Sequence, residues 1–507
     1  MQEEPPMKRF LMFISAWCVL AACLTPILTG QPRTITILHT NDMHADFIPH
    51  EAFWVKNTPK PLVGGFNELN YEIDSIRHVK PAVLLIDAGD VMTGNPITEY
   101  SYEGAEGGAL FAMMRMIGYN VWTIGNHDFD ISQANLRKLI QIGGFPAVSA
   151  NIVDTAGKFP VGNEEYIILE KAGLRIGIFG LMSKDFFTLV SKKSSGGIVI
   201  LPPVATAQNI IDKLRSRTDL LIAVTHEGVE DDSVLAENVT GLDVIIGGHS
   251  HTRLKVPKII KGVIIVQTGS NCENLGELTL TVEKHRILSH EGKLLPLWYH
   301  PDRPKTALSH LIDSLKGKID TDYAEIIGTL KSAWVIGRGG ESNAGNFIAD
   351  AQREAAGADI GFMNTHGMRK NLSVGAITKR DLFEVLPFRN ELVTFSMTGS
   401  AIIRFLQYYI KNRPAVQTSG LQAEWKMKPD NTIEFVKILV NGRPLVNAKI
   451  YTAAASDYLA GDAEMYLGID KPVPVSVNKT VFAAVEQKVR ALKEVHAGIE
   501  HRIQEVK

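Results

Sequence analysis

The hexapeptide Gly-Asn-His-Asp-Phe-Asp at residues 125–130 is the strongest indication of how this sequence folds. It directly follows the apolar run at residues 121–124, which has the length and the β-branched character of a buried strand. Amide, imidazole and carboxylate side chains are therefore concentrated in a short loop at the end of a strand. Such a loop is either an ordinary turn or part of a metal site, and the surrounding sequence distinguishes the two.

Four other loops have the same layout, in which a strand-like apolar run precedes residue types that bind metals. The apolar runs cover residues 35–38, 82–86, 220–224 and 244–246, and the loops cover residues 39–44, 87–90, 225–228 and 247–251. Because the carboxyl ends of buried parallel strands meet at one edge of a sheet, the five loops are expected to converge. A single histidine in such a place is usually structural, but five convergent sets predict a site for divalent ions of the Mn, Fe, Co or Zn kind.

The strand-like runs alternate with helical segments such as residues 66–77, which predicts an α/β domain with buried, layered sheets. A Pro-rich break at residues 296–304 and an amphipathic helix at residues 306–319 indicate a connector between two domains. The second unit is also predicted to be α/β, with a helix at residues 346–356, strands at 392–396 and 435–440, and a hairpin turn at Asn441-Gly442.

The composition limits the classes of partner. The formal net charge of −2 and the charged fraction of 21% are ordinary for a globular protein. This balance predicts no affinity for nucleic acid or for an anionic membrane surface. An anionic substrate must therefore be held by local charge, from metal ions or from single arginines.

The N-terminus has the layout of a secretory signal. A basic start at residues 8–9 precedes an apolar run at residues 10–22, and small residues lead to Cys23 in a pattern that resembles a bacterial lipobox. We therefore expect a signal peptide at residues 1–23 and an exported protein, periplasmic or on the cell surface, that is anchored to the membrane by a lipid on Cys23. The alternatives are a plain signal cut before Gln31 and an uncleaved anchor.

Taken together, the loop motifs resemble the signature of calcineurin-type metallophosphoesterases. The matching residues are Asp42-x-His44, Gly89-Asp90, Gly125-Asn126-His127-Asp128, His226 and Gly248-His249-Ser250-His251. Residues 38–44 and 125–130 also resemble the 5′-nucleotidase family, which includes periplasmic UDP-sugar hydrolases and ecto-5′-nucleotidases. The resemblance implies a four-layer αββα metallophosphoesterase domain at residues 32–290, a linker with a helix and a nearby hinge at 291–323, and a separate α/β substrate-binding domain at 324–500.

The same resemblance implies two divalent metal ions, with Zn, Mn, Co and Fe as candidates, and assigns their ligands. One ion would be held by Asp42, His44, Asp90 and His251, and the other by Asp90, Asn126, His226 and His249, so that Asp90 bridges them. A hydroxide between the ions would attack phosphorus. His127 would stabilise the developing charge or protonate the leaving oxygen, and Asp130 would orient His127 by a hydrogen bond.

Segments of the second unit, residues 341–351, 364–369 and 381–388, resemble the C-terminal domain of this family. By this resemblance Asn364, Gly367 and Arg369 would contact the sugar and the phosphate of the substrate. Arg338 resembles an arginine that precedes the Glu-Ser motif in the family, and a guanidinium suits phosphate because its donor fork is bidentate. Arg338 is equally well explained as a solvated loop arginine.

The second unit departs from the family pattern at positions that matter for recognition. Gly340 stands where the family often has a second arginine, and two glycines of the segment 364–369 are replaced by larger residues. The pair of aromatic rings that sandwiches a nucleobase is not evident, because Ala415 occupies the position of one ring. Tyr458 and Tyr466 are the candidates to replace one of them.

The sequence therefore predicts an exported metal-dependent phosphohydrolase whose substrate is a small phosphoester, with a nucleotide or a UDP-sugar as the leading hypothesis. The alternative is a metallophosphoesterase for a non-nucleotide phosphoester, which the missing ring pair favours. A hypothesis of a different class is a surface lipoprotein that binds without catalysis. The complete ligand sets argue against it, since a decayed site loses ligands first. No membrane contact is expected beyond the N-terminal anchor, and the oligomeric state is not predicted.

Overall fold

A computed structural model describes residues 31–56, 59–337, 340–413 and 415–506 of the chain. The predicted signal peptide with Cys23, and the candidate substrate-binding Arg338, lie outside the described residues. Within the described ranges no helix is both long enough and apolar enough to cross a membrane.

Two six-stranded sheets form the first domain. In order of pairing, the strands of the first sheet are Arg286–Pro296, Asn274–Glu283, Arg33–Thr40, Val83–Asp87, Val121–Thr123 and Ala147–Val148. Those of the second sheet are Tyr166–Lys171, Leu174–Met182, Leu220–His226, Val244–Gly247, Val263–Val266 and Lys258–Ile260. Four neighbouring strands in each sheet run parallel, so the loops after them lie at one edge of the sheet.

The two sheets pack face to face, because alternate side chains along their strands are apolar. Ile35 and Ile37 of the first sheet and Ile176, Ile178 and Ile222 of the second are fully buried in the layer between them. Helices cover the outer faces, Phe66–Val79, Gly108–Ile117 and Gln133–Gly143 on the first sheet, and Pro203–Leu214 and Val229–Asn238 on the second. The predicted four-layer αββα arrangement is confirmed.

Shorter elements connect these layers. The strands are His50–Glu51, Leu62–Val63, Ser101–Tyr102, Ala105–Glu106, Ile152–Asp154 and Ile198–Ile200. The helices are Phe186–Leu189 and Lys192–Ser195, and the 3₁₀ turns are Pro96–Glu99, His127–Phe129 and Arg215–Arg217.

The predicted connector helix is present and spans Ala307–Tyr323. It begins with a capping box, in which the side chains of Thr306 and Ser309 each accept a hydrogen bond from the other's backbone N–H. Leu308 and Ile312 are buried in the helical layer of the first domain, so the connector packs as part of that domain. The strand Arg286–Pro296 likewise continues past residue 290, where the resemblance puts the end of the first domain.

The second domain is built on three sheets, which confirms a separate α/β unit. In order of pairing, the strands of the first sheet are Val416–Ser419, Ile360–Asn364, Ile450–Ser456, Glu391–Thr398 and Val475–Thr480. Those of the second sheet are Arg443–Pro444, Ile433–Val440, Leu421–Met427 and Ile503–Glu505. Those of the third sheet are Gly375–Thr378, Ile326–Leu330 and Glu494–Val495. The helices are Asn343–Ala356, Lys379–Val385, Gly399–Asn412, Asp457–Gly461, Ala463–Leu467 and Val481–Leu492, with a 3₁₀ turn at Thr365–Gly367.

The hairpin predicted at Asn441-Gly442 is also confirmed. The two residues join the antiparallel strands Ile433–Val440 and Arg443–Pro444. Their φ angles are 49° and 72°, and a two-residue turn with positive φ at both positions matches the right-handed twist of the strands.

Candidate metal and active site

The predicted metal-binding loops converge at the carboxyl edge of the two facing sheets. Two groups of side chains each bring their ligand atoms within 4.8 Å of one another. The first group consists of Asp42, His44 and His251, and the second consists of Asp90, His226 and His249. Each group takes residues from loops of both sheets.

Imidazole nitrogens face each other in the first group. His44 Nε2 lies 3.0 Å from His251 Nε2, and His251 Nε2 lies 3.4 Å from Asp42 Oδ1. His44 Nδ1 lies 3.2 Å from the Thr93 carbonyl, so Nδ1 donates there and Nε2 keeps its lone pair. Two nitrogens at this distance repel unless a proton or a cation lies between them, which is the arrangement expected of metal ligands.

The second group contains buried polar atoms that lack partners. His226 Nδ1 donates to the Ala88 carbonyl at 2.8 Å, which leaves Nε2 as the ligand atom. That Nε2 lies 3.1 Å from Asp90 Oδ2, but the two atoms are not aligned for a hydrogen bond. Asn126 Oδ1 is also buried without a partner. Since buried polar atoms are nearly always satisfied in proteins, these orphaned atoms fit a site built for cations.

The carboxylates of the site favour positive charge beside them. Burial disfavours the imidazolium of His226, but the carboxylates of Asp90 and Asp42 outweigh burial and raise the pKa of His226 to about 10. Burial alone would raise the pKa of Asp90, but His226 and His127 outweigh burial and hold it well below its ordinary value. A set of carboxylate, imidazole and amide donors in such a field suits divalent transition metals.

Five of the predicted ligands have positive φ angles, which residues other than glycine rarely adopt. The angles are 50° for Asp42, 48° for His44, 57° for Asp90, 76° for His249 and 54° for His251. Each such residue costs about 1 kcal/mol or more, and strain of this kind concentrates at functional sites. The surrounding structure must therefore hold these loops in place.

Asp128, whose supporting role was not predicted from the sequence, provides much of that support. Its carboxylate accepts hydrogen bonds from the backbone N–H groups of Gly125 at 2.8 Å, Asp90 at 3.1 Å, Val91 at 3.0 Å and Met92 at 3.1 Å. Two metal-binding loops are thereby fixed to one side chain. Burial and the charge of Asp90 raise the pKa of Asp128 to about 7.

Asn41 supports the opposite side of the site and was likewise missed. Its Nδ2 donates to Asp42 Oδ2 and to the Gly269 carbonyl, each at 2.7 Å. Its Oδ1 accepts from the N–H and the hydroxyl of Thr268 at 2.8 Å and 2.7 Å. Both residues lie inside the quoted motifs, and their position beside the ligands is the signal that could have identified them.

The predicted pair of His127 and Asp130 is formed. His127 Nδ1 lies 2.9 Å from Asp130 Oδ2, which also accepts the hydroxyl of Thr93 at 2.6 Å. The imidazole ring is 5.4 Å from the ring of His44, so it borders the first ligand group. Burial lowers the pKa of His127, but Asp130 and Asp90 outweigh burial and raise it above the ordinary value.

The second domain brings Arg369 and Phe388 to the same place. Arg369 Nη2 lies 2.6 Å from His44 Nε2, and the ring of Phe388 lies 5.3 Å from that of His127. The guanidinium carbon of Arg369 is 5.9 Å from the centre of the Phe388 ring. The predicted phosphate-binding arginine is therefore at the candidate metal centre.

Asn364 and Gly367 lie beside each other in the second domain. Asn364 ends a buried strand, its Oδ1 has no hydrogen-bond partner, and a β-carbon on Gly367 would lie 2.9 Å from that atom. Tyr458 and Tyr466 lie with their hydroxyl oxygens 3.4 Å apart and their rings tilted by 59°. The Tyr458 hydroxyl also donates to the Thr188 carbonyl of the first domain at 2.7 Å.

Comparison with known proteins agrees with this geometry. The chain matches the family described as calcineurin-like phosphoesterase over residues 35–253 and the family described as 5′-nucleotidase, C-terminal domain, over residues 326–468. The layered fold and the paired ligand groups thus define a calcineurin-like, metal-dependent phosphoesterase. With both domains matched in order, the chain belongs to the 5′-nucleotidase family.

Individual relatives extend over most of the chain. A 5′-nucleotidase from Diplobatis ommata is 27% identical in an alignment of 536 positions, which covers 95% of this chain and 91% of that protein. A trifunctional nucleotide phosphoesterase from Bacillus subtilis is 29% identical over 460 residues, which cover 80% of this chain but only 30% of that longer protein. The crystal structure of a 5′-nucleotidase precursor from Thermus thermophilus superposes with a TM-score of 0.82 at 25% identity, covering 93% of this chain and 99% of that one.

Gly125→Ala is expected to weaken metal binding although it changes no ligand. A β-carbon at this position would lie 2.2 Å from both the backbone nitrogen and Oδ1 of Asp90, so Asp90 must move. We expect metal affinity to fall roughly 10- to 100-fold, the usual effect of disturbing groups that support metal ligands. Titration of the metal-free protein with Mn²⁺ in a calorimeter measures this.

Gly317→Ala is the matched control for that substitution. Gly317 lies in the connector helix, and a β-carbon there would meet no heavy atom within 4 Å. Alanine is expected to stabilise the helix by about 1 kcal/mol without changing metal affinity. Unchanged Mn²⁺ affinity in Gly125→Ala would show that the contact with Asp90 does not hold the site together.

Asp90→Ala is expected to remove most of the bound metal, because Asp90 belongs to the second ligand group and its N–H and carboxylate also join its own loop to the loop of Asp128 and His127. Elemental analysis of the purified protein gives the metal content. Asp313→Ala, on the exposed face of the connector helix, serves as the control and should keep the wild-type content. Full metal loading of Asp90→Ala would contradict the assignment.

Proposed function

We propose that this chain is an exported, dinuclear-metal phosphohydrolase of the 5′-nucleotidase or UDP-sugar hydrolase type. One observation carries the proposal, namely what surrounds His44. Its Nε2 lies 3.0 Å from His251 Nε2 and 2.6 Å from Arg369 Nη2, and its ring borders that of His127. Metal ligands, an acid–base group and a cation for phosphate thus meet at one point.

The metal ligands are proposed in full. One ion would take Asp42, His44, Asp90 and His251, and the other would take Asp90, Asn126, His226 and His249, with Asp90 shared. When bound, two divalent ions supply a water of lowered pKa and positive charge next to the phosphoryl oxygens.

His127 is proposed as the group that stabilises or protonates the leaving oxygen. Its Nδ1 is engaged by Asp130, so Nε2 is the ring atom that remains for the substrate. Because Asp130 also accepts the Thr93 hydroxyl, the carboxylate and therefore the ring are held in one orientation.

Arg369 is proposed to bind the phosphate of the substrate. Its side chain is partly buried, and burial lowers the pKa of the guanidinium while Asp90 and Asp42 oppose that effect, so the two carboxylates favour the charged form. A phosphoryl group offers the same negative charge with a geometry that matches the guanidinium fork. Asn364 and Gly367, with Arg338, are proposed to contact the remainder of the substrate.

A nucleotide or a UDP-sugar is the first choice of substrate, since two relatives that cover 95% and 93% of this chain are named 5′-nucleotidases. A non-nucleotide phosphoester is the second choice, and the geometry of the two tyrosine rings favours this alternative. Tyr458 and Tyr466 are 6.0 Å apart and tilted rather than parallel, and the Ala415 side chain cannot stack on a base. Loss of a stacking partner costs about 1–3 kcal/mol of binding free energy per base.

Export and lipid attachment at Cys23 are proposed from the N-terminal sequence alone. Labelled fatty acid should enter the wild-type protein in cells but not Cys23→Ala. Labelling that persists in the variant would exclude this site of attachment.

A substrate panel tests the proposed activity. AMP, other nucleotides, UDP-glucose, cyclic nucleotides and simple phosphoesters are assayed with Mn²⁺, Co²⁺ and Zn²⁺. We expect phosphate release from at least one nucleotide and none after removal of metal by a chelator. Turnover of simple phosphoesters alone would favour the non-nucleotide alternative, and no turnover of any phosphoester would refute a phosphohydrolase.

His127→Ala is expected to retain wild-type metal content and to lose roughly 100- to 10,000-fold in kcat, the usual contribution of a general acid or base. Asp130→Asn should lose less, because the ring stays present but is oriented less well. Both values come from steady-state kinetics on the best substrate of the panel. A His127→Ala variant with normal kcat would remove His127 from the reaction.

A further inference from the structure

A buried carboxylate joins the two domains and the connector helix. Glu384 is 4% exposed and accepts hydrogen bonds from Asn95 Nδ2 of the first domain at 3.0 Å and from Arg380 Nε at 2.8 Å. Lys370 Nζ donates to its second oxygen. Arg380 Nη1 in turn donates to Asp320 Oδ1 of the connector helix at 2.9 Å. We call these five residues the Glu384 cluster.

The Asn95 end of the cluster leads to the active site of the first domain. Two residues earlier, the Thr93 carbonyl faces His44 Nδ1 at 3.2 Å and the Thr93 hydroxyl donates to Asp130 at 2.6 Å. Gly94 lies so close to His44 that a β-carbon there would be 2.1 Å from the His44 carbonyl oxygen. The segment 93–95 therefore contacts a proposed ligand, the partner of His127 and Glu384 of the other domain.

The Lys370 end of the cluster leads to the proposed phosphate-binding residue. Lys370 directly follows Arg369, whose Nη2 lies 2.6 Å from His44 Nε2. The backbone N–H of Arg369 donates to the Val385 carbonyl at 2.9 Å, and Val385 directly follows Glu384. The main chain of Arg369 and the side chain of its neighbour are thus both fixed to the segment that carries Glu384.

Charge makes this arrangement dependent on Glu384. Burial alone would raise the pKa of Glu384, but Lys370 and Arg380 outweigh burial and hold it below the ordinary value, so the group is a carboxylate. Without it, two cations would face each other at a largely buried boundary. Arg380 would keep Asp320 as its partner, but Lys370 would lose its ion pair, and because removing one partner of a largely buried pair is destabilising, the domains are expected to separate or rotate.

We infer that Glu384 is a positioning residue for the proposed phosphohydrolase. It holds the second domain in the arrangement in which Arg369 reaches His44, and it fixes Asp130 through Asn95 and the segment 93–95. The inference rests on the proposed function for its kinetic consequences only, since the domain arrangement can be measured without turnover.

The test separates the two ends of the contact. Asn95→Ser shortens the side chain so that it no longer contacts Glu384. The serine oxygen can still accept the hydrogen bond from the N–H of Ile97 that the Asn95 side chain accepts. Glu384→Ala removes the carboxylate. A cavity of about 610 Å³, lined in part by Lys370, Arg380 and Glu384, borders the cluster, so the freed lysine has open space beside it. Glu384→Gln, which keeps the volume and loses the charge, is a second variant at this position.

Arg389→Gln is the matched control. Arg389 also crosses the domain boundary, with Nη2 at 3.0 Å from Glu99 and 2.7 Å from Glu106, but it is half exposed and does not contact the segment 93–95 through these bonds. Exposed ion pairs contribute little, so kcat is expected to stay within about twofold of wild type.

The kinetic readout is a double-mutant cycle on the best phosphoester of the panel. We expect Asn95→Ser and Glu384→Ala each to lower kcat by about tenfold, the size of one hydrogen bond to a charged group, with wild-type metal content. Because both act through one contact, the double variant should be no slower than Glu384→Ala. Losses that multiply, or an equal loss in Arg389→Gln, would overturn the inference.

The structural readout is small-angle X-ray scattering of the full chain. Wild type and Arg389→Gln should give the radius of gyration of the arrangement in which Arg369 reaches His44. Asn95→Ser and Glu384→Gln should give a larger radius of gyration. Unchanged scattering in both variants would overturn the inference even if the wild type hydrolysed no phosphoester. If the wild type is inactive but the variants expand, the proposed function fails and the positioning role of Glu384 stands.

Discussion

The carboxylate of Asp128 is the contact on which the candidate site depends. Four backbone N–H groups from two loops point at its two oxygens, and one of those loops carries Asp90 in a left-handed conformation. A single buried acceptor therefore offsets the strain of the loops that present the ligands. Asn41 has the same role beside Asp42, with its amide fixed on both sides. The predicted ligands are thus held in place by hydrogen bonds between their loops and two neighbouring side chains, Asp128 and Asn41.

The sequence predicted the first domain well because its information is local. A β-branched run followed by an Asp, Asn or His loop specifies both a strand and the residue types at its end, and parallel strands bring those ends together. The convergence of the five loops could be anticipated in this way, whereas the ligand sets, the pair of His127 and Asp130 and a phosphate-binding Arg369 were implied by the family resemblance.

What the sequence did not predict depends on contacts between distant segments. Asn95 and Glu384 are separated by 289 positions, and nothing in the local pattern around either one indicates a shared hydrogen bond. Asp128 is similar, since its place beside the predicted ligands points to a supporting role but does not show that it accepts hydrogen bonds from a loop near residue 90. The tilt between Tyr458 and Tyr466 also depends on packing against the Thr188 region of the first domain, which no periodicity encodes.

Each ligand group takes its members from loops of both sheets, and this has a consequence for folding. Asp42 and His251, or Asp90 and His226, meet only after the two sheets have packed on each other, so the unfolded chain offers no preformed site. Cations that bind only the assembled sandwich stabilise it by mass action, by about 2.7 kcal/mol when their concentration is 100 times the dissociation constant. The two ions would therefore act as cross-links between the sheets, and the thermal stability of the first domain would report on metal supply.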